Sequence, residues 1–181
     1  MQITGGFLKS RNIDSPKGEN VRPTLSQIRE SIFSTLFSMI DFEGKSFLDA
    51  FAGSGIMGFE AVSRGFANAT FVEKDKKTCF LLKENIKKLG IEEISQTYLT
   101  DTTRFLKKTK CKFDIIYIDP PYKSGLYDEI VKAVKDNSIL SKDGLMILEH
   151  PSDLKIDWQG FELLKQKIYA DKTLSYLNFS N

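Results

Sequence analysis

Apolar positions along this 181-residue chain follow two spacings, one typical of strands and one typical of helices. Short apolar runs predict strands over 46–50, 69–73, 96–99, 113–118, 145–148, 161–169 and 172–179. Apolar residues three and four apart predict helices over 23–41, 56–64, 76–89 and 126–136. A short helix is expected after Asp101, and Thr24 with Gln27 fits a capping box near the start of the first helix.

Strands that alternate with helices indicate a mostly parallel sheet with helices on both faces. The last two strands are joined tightly at Ala170-Asp171, which predicts a C-terminal antiparallel hairpin. The predicted fold class is therefore α/β, a Rossmann-like seven-stranded sheet closed by that hairpin. We expect a single domain made of an irregular arm or hairpin over 1–22, a leading helix over 23–41 and a core over 45–181.

The composition is that of an ordinary soluble globular protein, with 41% hydrophobic and 28% charged residues. No stretch approaches the roughly 18 consecutive apolar residues of a membrane span, and the first residues lack a secretory signal. We therefore expect a cytoplasmic protein without membrane contact. Cys79 and Cys111 are too few and too far apart for a disulfide framework or a metal site, and both are expected to be buried, reduced thiols.

Basic residues are concentrated in two segments, although the net charge is only +2. Residues 101–112 hold five basic residues against one acid, and residues 74–88 hold six lysines against two acids. Such a segment fits a solvated helix face as well as a contact with RNA. The two segments therefore support RNA binding only weakly.

A glycine turn follows the first predicted strand. Gly53, Gly55 and Gly58 have the spacing of a loop that lets a ligand approach the backbone between a strand and a helix. Asp49 ends that strand beside the loop, where its carboxylate would repel the pyrophosphate of a dinucleotide. The same carboxylate would attract the α-ammonium group of S-adenosylmethionine. The charge therefore favours S-adenosylmethionine as the cofactor, and the alternative for Asp49 is a helix cap.

Two more acids end the strands that follow. Glu73 ends the second strand, where it can accept hydrogen bonds from both ribose hydroxyls, and Asp101 follows the third, where it can accept from the adenine amino group. Without a ligand, Glu73 would be a surface acid and Asp101 the N-cap of a short helix. We predict a cofactor site formed by Asp49, Ala52, Gly53, Ser54, Gly55, Glu73, Lys74, Asp101 and Thr102.

The tetrapeptide Asp119-Pro120-Pro121-Tyr122 directly follows the apolar run 113–118. An exocyclic amine on a base is a weak nucleophile because its lone pair is delocalised into the ring. Asp119 and the Pro120 carbonyl can accept hydrogen bonds from that amine as positive charge develops, and the prolines hold these acceptors in place. Tyr122 can stack on the base. We predict these four residues as a metal-free catalytic site; the alternative is a turn leaving a strand.

Further segments extend this pattern over nearly the whole chain: Gly5-Gly6, Arg22-Pro23-Thr24, Arg29 to Phe33, Leu48 to Gly58, Glu60-Ala61, Ser63 to Gly65, Phe71 to Glu73, Asn85 and Phe113 to Tyr122. With these segments, the chain resembles the RsmD-type family of bacterial 16S ribosomal RNA guanine-N2 methyltransferases, within the class I S-adenosylmethionine-dependent enzymes. The resemblance implies that the substrate is 16S rRNA, held in the small ribosomal subunit or an assembly particle. We separately expect the protein to act as a monomer.

The resemblance also assigns roles to the predicted site residues. Asp49 and the loop 53–55 would hold the methionine part of the cofactor, Glu73 the ribose and Asp101 the adenine. The tetrapeptide that ends at Tyr122 would hold the target guanine. The candidates for contacts with phosphate or with the cofactor carboxylate are Arg22 and Arg29, for which an ion pair with Glu30 or Asp41 is the alternative.

Other functions fit parts of the same pattern. An adenine-N6 methyltransferase acting on DNA or RNA would use the same amine chemistry, and the tetrapeptide does not distinguish guanine from adenine. A non-catalytic RNA-binding module for ribosome assembly would have no need of Asp49 or Asp119. An NAD-dependent oxidoreductase is disfavoured by Asp49. His150 has no partners in a triad pattern, and we interpret it as structural.

Overall fold

The computed structural model describes residues 1–16, 23–121, 125–158, 160–170 and 172–180, with the backbone alone for 23–25. The strands are Ser46–Asp49 (β1), Asn68–Glu73 (β2), Ser95–Leu99 (β3), Phe113–Ile118 (β4), Leu140–Pro151 (β5), Phe161–Tyr169 (β6) and Lys172–Phe179 (β7). The helices are Pro23–Met39 (α1), Ile56–Ser63 (α2), Lys76–Leu89 (α3), Thr102–Lys108 (α4) and Tyr127–Asp136 (α5).

The seven strands form one sheet in the order β3-β2-β1-β4-β5-β7-β6. The first five strands in this order are parallel, and β7 pairs antiparallel with both β5 and β6. This arrangement confirms the predicted fold class. The chain winds outward from β1 to β3 and then returns to place β4 on the other side of β1. In such open sheets, ligands bind outside the carboxyl ends of the strands at the point where the winding reverses.

Three local predictions differ from the structure. α1 begins at Pro23, so Thr24 lies in its first turn rather than at its N-cap. β5 spans 140–151 rather than the predicted 145–148, because a change of register between β4 and β5 accommodates the extra residues as an irregularity in the strand. Cys79 is buried as expected, but Cys111 is exposed because it lies in the connection between α4 and β4.

Alternation along the central strands divides the core between the two faces of the sheet. Phe47 of β1 and Tyr117 of β4 lie on the face covered by α1, where they pack with Phe33. Leu48 and Ile116 lie on the opposite face, in the cluster that includes residues of α4 and α5. Among the described residues, no helix combines the length and apolar character that a membrane crossing requires.

Residues 1–16 form a small hairpin on the outer side of α2 and α3. Gln2 pairs antiparallel with Asn12, and the apolar side chains of Ile3, Leu8 and Ile13 are buried against the helices. Gly6 has a φ of 76°, and a Cβ there would lie 1.6 Å from the carbonyl oxygen of Ser63. The hairpin is therefore a packed element of the fold rather than a free arm.

A buried ion-pair cluster joins this hairpin to α1 and α2. The Glu60 carboxylate is fully buried, and its two oxygens accept from Arg29 Nε and Arg64 Nε, each at 2.9 Å. Oε1 also accepts from the Thr4 hydroxyl at 2.8 Å. We call these four residues the Glu60 cluster. Arg29 additionally donates from Nη2 to the Gln2 carbonyl at 2.8 Å.

Candidate active site

Three carboxylates from neighbouring strands meet at the carboxyl edge of the sheet. Asp49, the last residue of β1, lies opposite Tyr117 of β4. The pairing of β4 with β5 continues to the last residue of β4, so Asp119 and Glu149 follow as neighbours on adjacent strands. Adjacent strands are about 4.8 Å apart, which brings acids at such positions close together. We call Asp49, Asp119 and Glu149 the carboxylate row.

Asp49 is fully buried at the reversal of the winding. Burial raises the pKa of its carboxyl to about 7, the Gly58 N–H bond opposes that rise, and the charges of Asp119 and Glu73 add to it. The hydrogen bond from Gly58 N–H to Oδ2 is 3.3 Å long. Gly58 is the third residue of α2, so Asp49 caps this helix from the strand, as the alternative interpretation expected. The acid nevertheless lines a cavity beside the glycine turn.

Asp119 is surrounded by charges of both signs. Burial raises the pKa of its carboxyl to about 7, and the charge of Glu149 raises it further, whereas Lys172 lowers it. A carboxyl with a pKa near neutrality, poised in a cleft, is a recurrent feature of functional sites. The first residue of the tetrapeptide therefore lies where burial and the opposing charges of Glu149 and Lys172 set the pKa of its carboxyl.

Glu149 completes the row and is only 7% exposed. The Tyr117 hydroxyl donates to Oε2 at 3.0 Å, and the Lys172 ammonium donates to Oε1. Burial raises the pKa of Tyr117 well above its usual value, and the charges of Glu149, Asp119 and Asp49 raise it further. This tyrosine therefore stays protonated and serves as a fixed hydrogen-bond donor to Glu149.

Glu73 links the glycine turn to the end of β2 by hydrogen bonds. Its Oε2 accepts from Gly53 N–H at 3.0 Å, and its Oε1 accepts from Asp75 N–H at 2.7 Å. Gly55 has a φ of 89°, and a Cβ there would lie 2.4 Å from Leu82 Cδ1. The turn therefore requires glycine at this position, and the carboxylate that was expected to face a ribose also orders the loop beside it.

Asp101 is the N-cap of α4, as the alternative interpretation expected. Its Oδ1 accepts from Arg104 N–H at 3.1 Å and from the Thr103 hydroxyl at 2.8 Å. The Thr103 bond, followed by the Arg104 bond, lowers the pKa of this exposed carboxyl. Thr102 is buried and donates from its hydroxyl to the Ala50 carbonyl at 2.6 Å. The structure thus shows a capping role for Asp101, and its contact with adenine stays a prediction.

A cavity of about 390 Å³ joins the two halves of the predicted site. One end is formed by residues predicted to bind the cofactor, which are Gly53, Glu73, Lys74 and Thr102. The other end is formed by Pro120, Pro121, Glu149 and Lys172. Asp119 lies among them. This volume falls in the range of about 300 to 1,000 Å³ that is usual for ligand pockets.

A second cavity, of about 190 Å³, lies between α1 and the glycine turn. The predicted site residues that line it are Arg29, Asp49, Ala52, Gly53, Ser54 and Asp119. Asp119, Glu149, Phe51 and Gly53 also line the larger cavity. The carboxylate row therefore borders both spaces. In the part of the chain that the structure describes, no group of three or more His, Cys, Asp or Glu side chains could hold a metal ion.

The predicted substrate contacts have mixed outcomes. Arg29 is 4% exposed and is paired with Glu60 rather than with Glu30 or Asp41, because α1 packs its guanidinium against the buried acid of α2. A phosphate contact would require this guanidinium to leave the Glu60 cluster, although it lines the smaller cavity. Arg22 and Tyr122 lie outside the described residues, so their roles stay predictions.

Glu149, Lys172 and Tyr117 did not appear among the predicted site residues. Glu149 could have been found, because it directly follows an apolar strand just as Asp49 and Asp119 do. Lys172 comes from the final hairpin and carries no local signal of this kind. His150, interpreted as structural, has both ring nitrogens engaged, one with the Pro151 carbonyl and one with the Ser175 hydroxyl, each at 2.8 Å.

Comparison with known proteins decides the family. A family model described as "Conserved hypothetical protein 95" matches residues 1–178. A protein of Buchnera aphidicola subsp. Acyrthosiphon pisum, named Ribosomal RNA small subunit methyltransferase D, is 39% identical over 168 residues, which cover 92% of this chain and 86% of that protein. The chain belongs to the RsmD family.

Two further proteins extend the match in sequence and in structure. The Bacillus subtilis protein named Putative rRNA methyltransferase YlbH is 34% identical over 159 residues, covering 86% of this chain and 85% of that protein. A solved structure described as the putative methyltransferase yhhF of Escherichia coli has a TM-score of 0.88 and 27% identity, covering 99% of this chain and 98% of that one. The resemblance stated from the sequence is therefore confirmed.

Proposed function

We propose that this protein transfers a methyl group from S-adenosylmethionine to the exocyclic N2 amine of a guanine in 16S rRNA. The observation that carries the proposal is the carboxylate row, which borders both cavities beside the glycine turn. Membership of the RsmD family supports methylation of rRNA, because relatives at 39% and 34% identity are named as rRNA methyltransferases.

The residues around the glycine turn fit S-adenosylmethionine on charge. Bound there, this cofactor supplies an electrophilic methyl group on a sulfonium. Asp49 is a buried acid whose pKa is raised to about 7 by burial and by the charges of Asp119 and Glu73. A cation placed beside it would restore its ionised form. We assign Asp49, which lines the smaller cavity, to the α-ammonium end and Glu73, which lines the larger cavity, to the ribose.

The tetrapeptide activates the amine. Asp119 accepts from one amine hydrogen, and the Pro120 carbonyl, held by the ring that fixes its backbone, accepts from the other. Methyl transfer would leave a positive charge on the amine, which would then lose a proton. Asp119, with a pKa raised to about 7 in the free site, is matched to take that proton near neutral pH.

The target base must be unstacked from its neighbours in the RNA to reach these acceptors. The cavity at the edge of the sheet admits a base but not a stacked duplex, so a paired guanine would be flipped out. We assign Tyr122 to stacking on the base and Arg22 to a phosphate contact. The substrate is expected to be 16S rRNA in the small subunit or an assembly particle, which places the reaction in the cytoplasm, with the enzyme acting as a monomer.

The test is transfer of labelled methyl from S-adenosylmethionine to small ribosomal subunits purified from cells that lack this activity. The product RNA is digested to nucleosides and separated. Recovery of N2-methylguanosine is the expected result. Recovery of N6-methyladenosine would replace this proposal with an adenine-N6 methyltransferase, and binding of RNA without any transfer would favour a non-catalytic assembly module.

A further inference from the structure

The acceptors and donors around Glu149 form a defined sequence at the substrate end of the larger cavity. Asp119 and Glu149 are neighbouring carboxylates, which offer only acceptors when they are ionised. Lys172 contacts Glu149 and also lowers the pKa of Asp119, so its ammonium lies close to both acids. The hydrogen-bonding edge of a base placed against these side chains would therefore meet two acceptors, Asp119 and Glu149, and then one donor, Lys172.

Glu149 keeps capacity for another hydrogen bond. A carboxylate has about four lone-pair sites. The described donors to Glu149 are the Tyr117 hydroxyl at Oε2 and the Lys172 ammonium at Oε1. Both donors approach a side chain that lines the cavity, so they fix its orientation without removing it from the space. Glu149 is thus a pre-oriented acceptor rather than a fully satisfied structural acid.

Guanine and adenine present opposite patterns to such a surface. The pairing edge of guanine carries the N2 amine and N1–H as adjacent donors, followed by the O6 acceptor. Adenine carries the N6 amine as a donor and N1 as an acceptor. A carboxylate opposite adenine N1 would bring two acceptors together without a proton, which is costly in a buried site.

We propose that Glu149 selects guanine by accepting a hydrogen bond from N1–H while Asp119 accepts from the N2 amine. Lys172 donates to O6 and, with the Tyr117 hydroxyl, holds the Glu149 carboxylate in place. This role rests on the proposed function, since it presupposes that the bound base is the methyl acceptor. It adds the determinant of base choice, which the tetrapeptide leaves open.

The first test compares wild type, Glu149→Gln and the control Glu162→Gln in the small-subunit transfer assay. Glu162 is exposed on β6, away from the cavity. Glu149→Gln should lower kcat/KM for N2-methylguanosine formation by about 10- to 100-fold, because the amide can turn a donor toward N1–H. The loss should persist from about pH 6 to about pH 9. Glu162→Gln should match wild type.

The pH profile separates base recognition from a purely electrostatic role. If Glu149 acted only by raising the pKa of Asp119, its removal would shift the acidic limb of the profile and leave the rate at high pH intact. That outcome, or activity within about threefold of wild type at every pH, would overturn the role of Glu149. Wild-type formation of N6-methyladenosine would instead overturn the proposed function itself.

A second measurement uses the wild-type protein and does not depend on how the variant folds. GMP and the 5′-monophosphate of 2-aminopurine riboside are compared as inhibitors of transfer to the subunits. The second nucleotide keeps the 2-amine but lacks N1–H and O6. GMP should inhibit at a concentration at least about tenfold lower. Equal inhibition by the two nucleotides, or inhibition by neither, would overturn base selection by Glu149.

Discussion

The Glu60 cluster and the carboxylate row are both buried groups of charges, but their balance differs. In the Glu60 cluster, one fully buried carboxylate is paired with Arg29 and Arg64, each at 2.9 Å. In the carboxylate row, Asp49 and Asp119 have pKa values raised to about 7, because burial and like charges outweigh the Gly58 hydrogen bond at Asp49 and the Lys172 charge at Asp119. The first group is neutralised by partners within the chain, whereas in the second three carboxylates share one described cation, Lys172.

This difference teaches how to distinguish a structural charge from a functional one in the same protein. Burial alone does not decide, since Glu60 and Asp49 are both inaccessible to solvent. The deciding quantity is whether the described partners neutralise the charge. A buried acid that lacks enough cations, and that faces a cavity, is suited to bind a cationic cofactor or a hydrogen-bond donor.

The largest expected effect comes from breaking the satisfied group. Glu60→Gln would leave the Arg29 and Arg64 guanidinium groups near an uncharged amide, so the free energy of unfolding should fall by about 3 to 5 kcal/mol. Urea unfolding measures this change. The exposed Glu84→Gln on α3 is the matched control and should fall within about 0.5 kcal/mol of wild type. An equally small change for Glu60→Gln would contradict the structural assignment.

The second-largest effect is expected in the carboxylate row, at Asp119. Asp119→Ala should lower the rate of methyl transfer by about 10²- to 10³-fold, because the developing charge on the amine loses its acceptor. The affinity for S-adenosylhomocysteine, measured by calorimetry, should stay within about threefold of wild type. The exposed Asp143→Ala serves as the control. A loss of cofactor affinity as large as the loss of rate would argue against action on the amine.

Asp49→Asn should weaken S-adenosylmethionine binding by about 10- to 100-fold while stabilising the free protein at high pH. In the folded state the pKa of Asp49 is raised to about 7, from 3.8 in the unfolded chain. The contribution of Asp49 to the free energy of unfolding is therefore favourable below about pH 4 and is lost as the pH rises through about 7. In thermal unfolding without ligand, the Tm of the variant should therefore rise relative to that of wild type between about pH 4 and about pH 8. A constant difference across this range would contradict the raised pKa.

The smallest effect concerns the support of Glu149. Tyr117→Phe removes the hydroxyl that donates to Oε2 at 3.0 Å but keeps the ring in the core. Loss of one hydrogen bond typically costs about 1 kcal/mol, so kcat/KM should fall by about fivefold. Glu149→Gln in the same background should then cost less than it does in wild type, because the two residues act together. Strict additivity would indicate that the tyrosine does not orient Glu149.

Sequence alone determined the elements whose signals are local. α3 has its predicted bounds, because the Asp75 side chain caps its first turn and Gly90, with a φ of 70°, ends it. The buried strand β4 and the closing strands β6 and β7 also have their predicted bounds, since alternation and apolar runs are properties of neighbouring residues. An acid at the end of a strand is equally local, which is why the positions of Asp49 and Asp119 at strand ends could be predicted.

Tertiary structure alone decided which charges are satisfied. Arg29 is paired with Glu60, which is 31 residues away, rather than with the acids near it in the chain. Glu149 receives donors from Tyr117 and from Lys172, which belong to two other strands. Local spacing places each acid at the end of its strand. Strand order and helix packing decide whether distant cations reach that acid. An acid that they neutralise is a structural partner, and one that they do not neutralise is suited to bind a ligand.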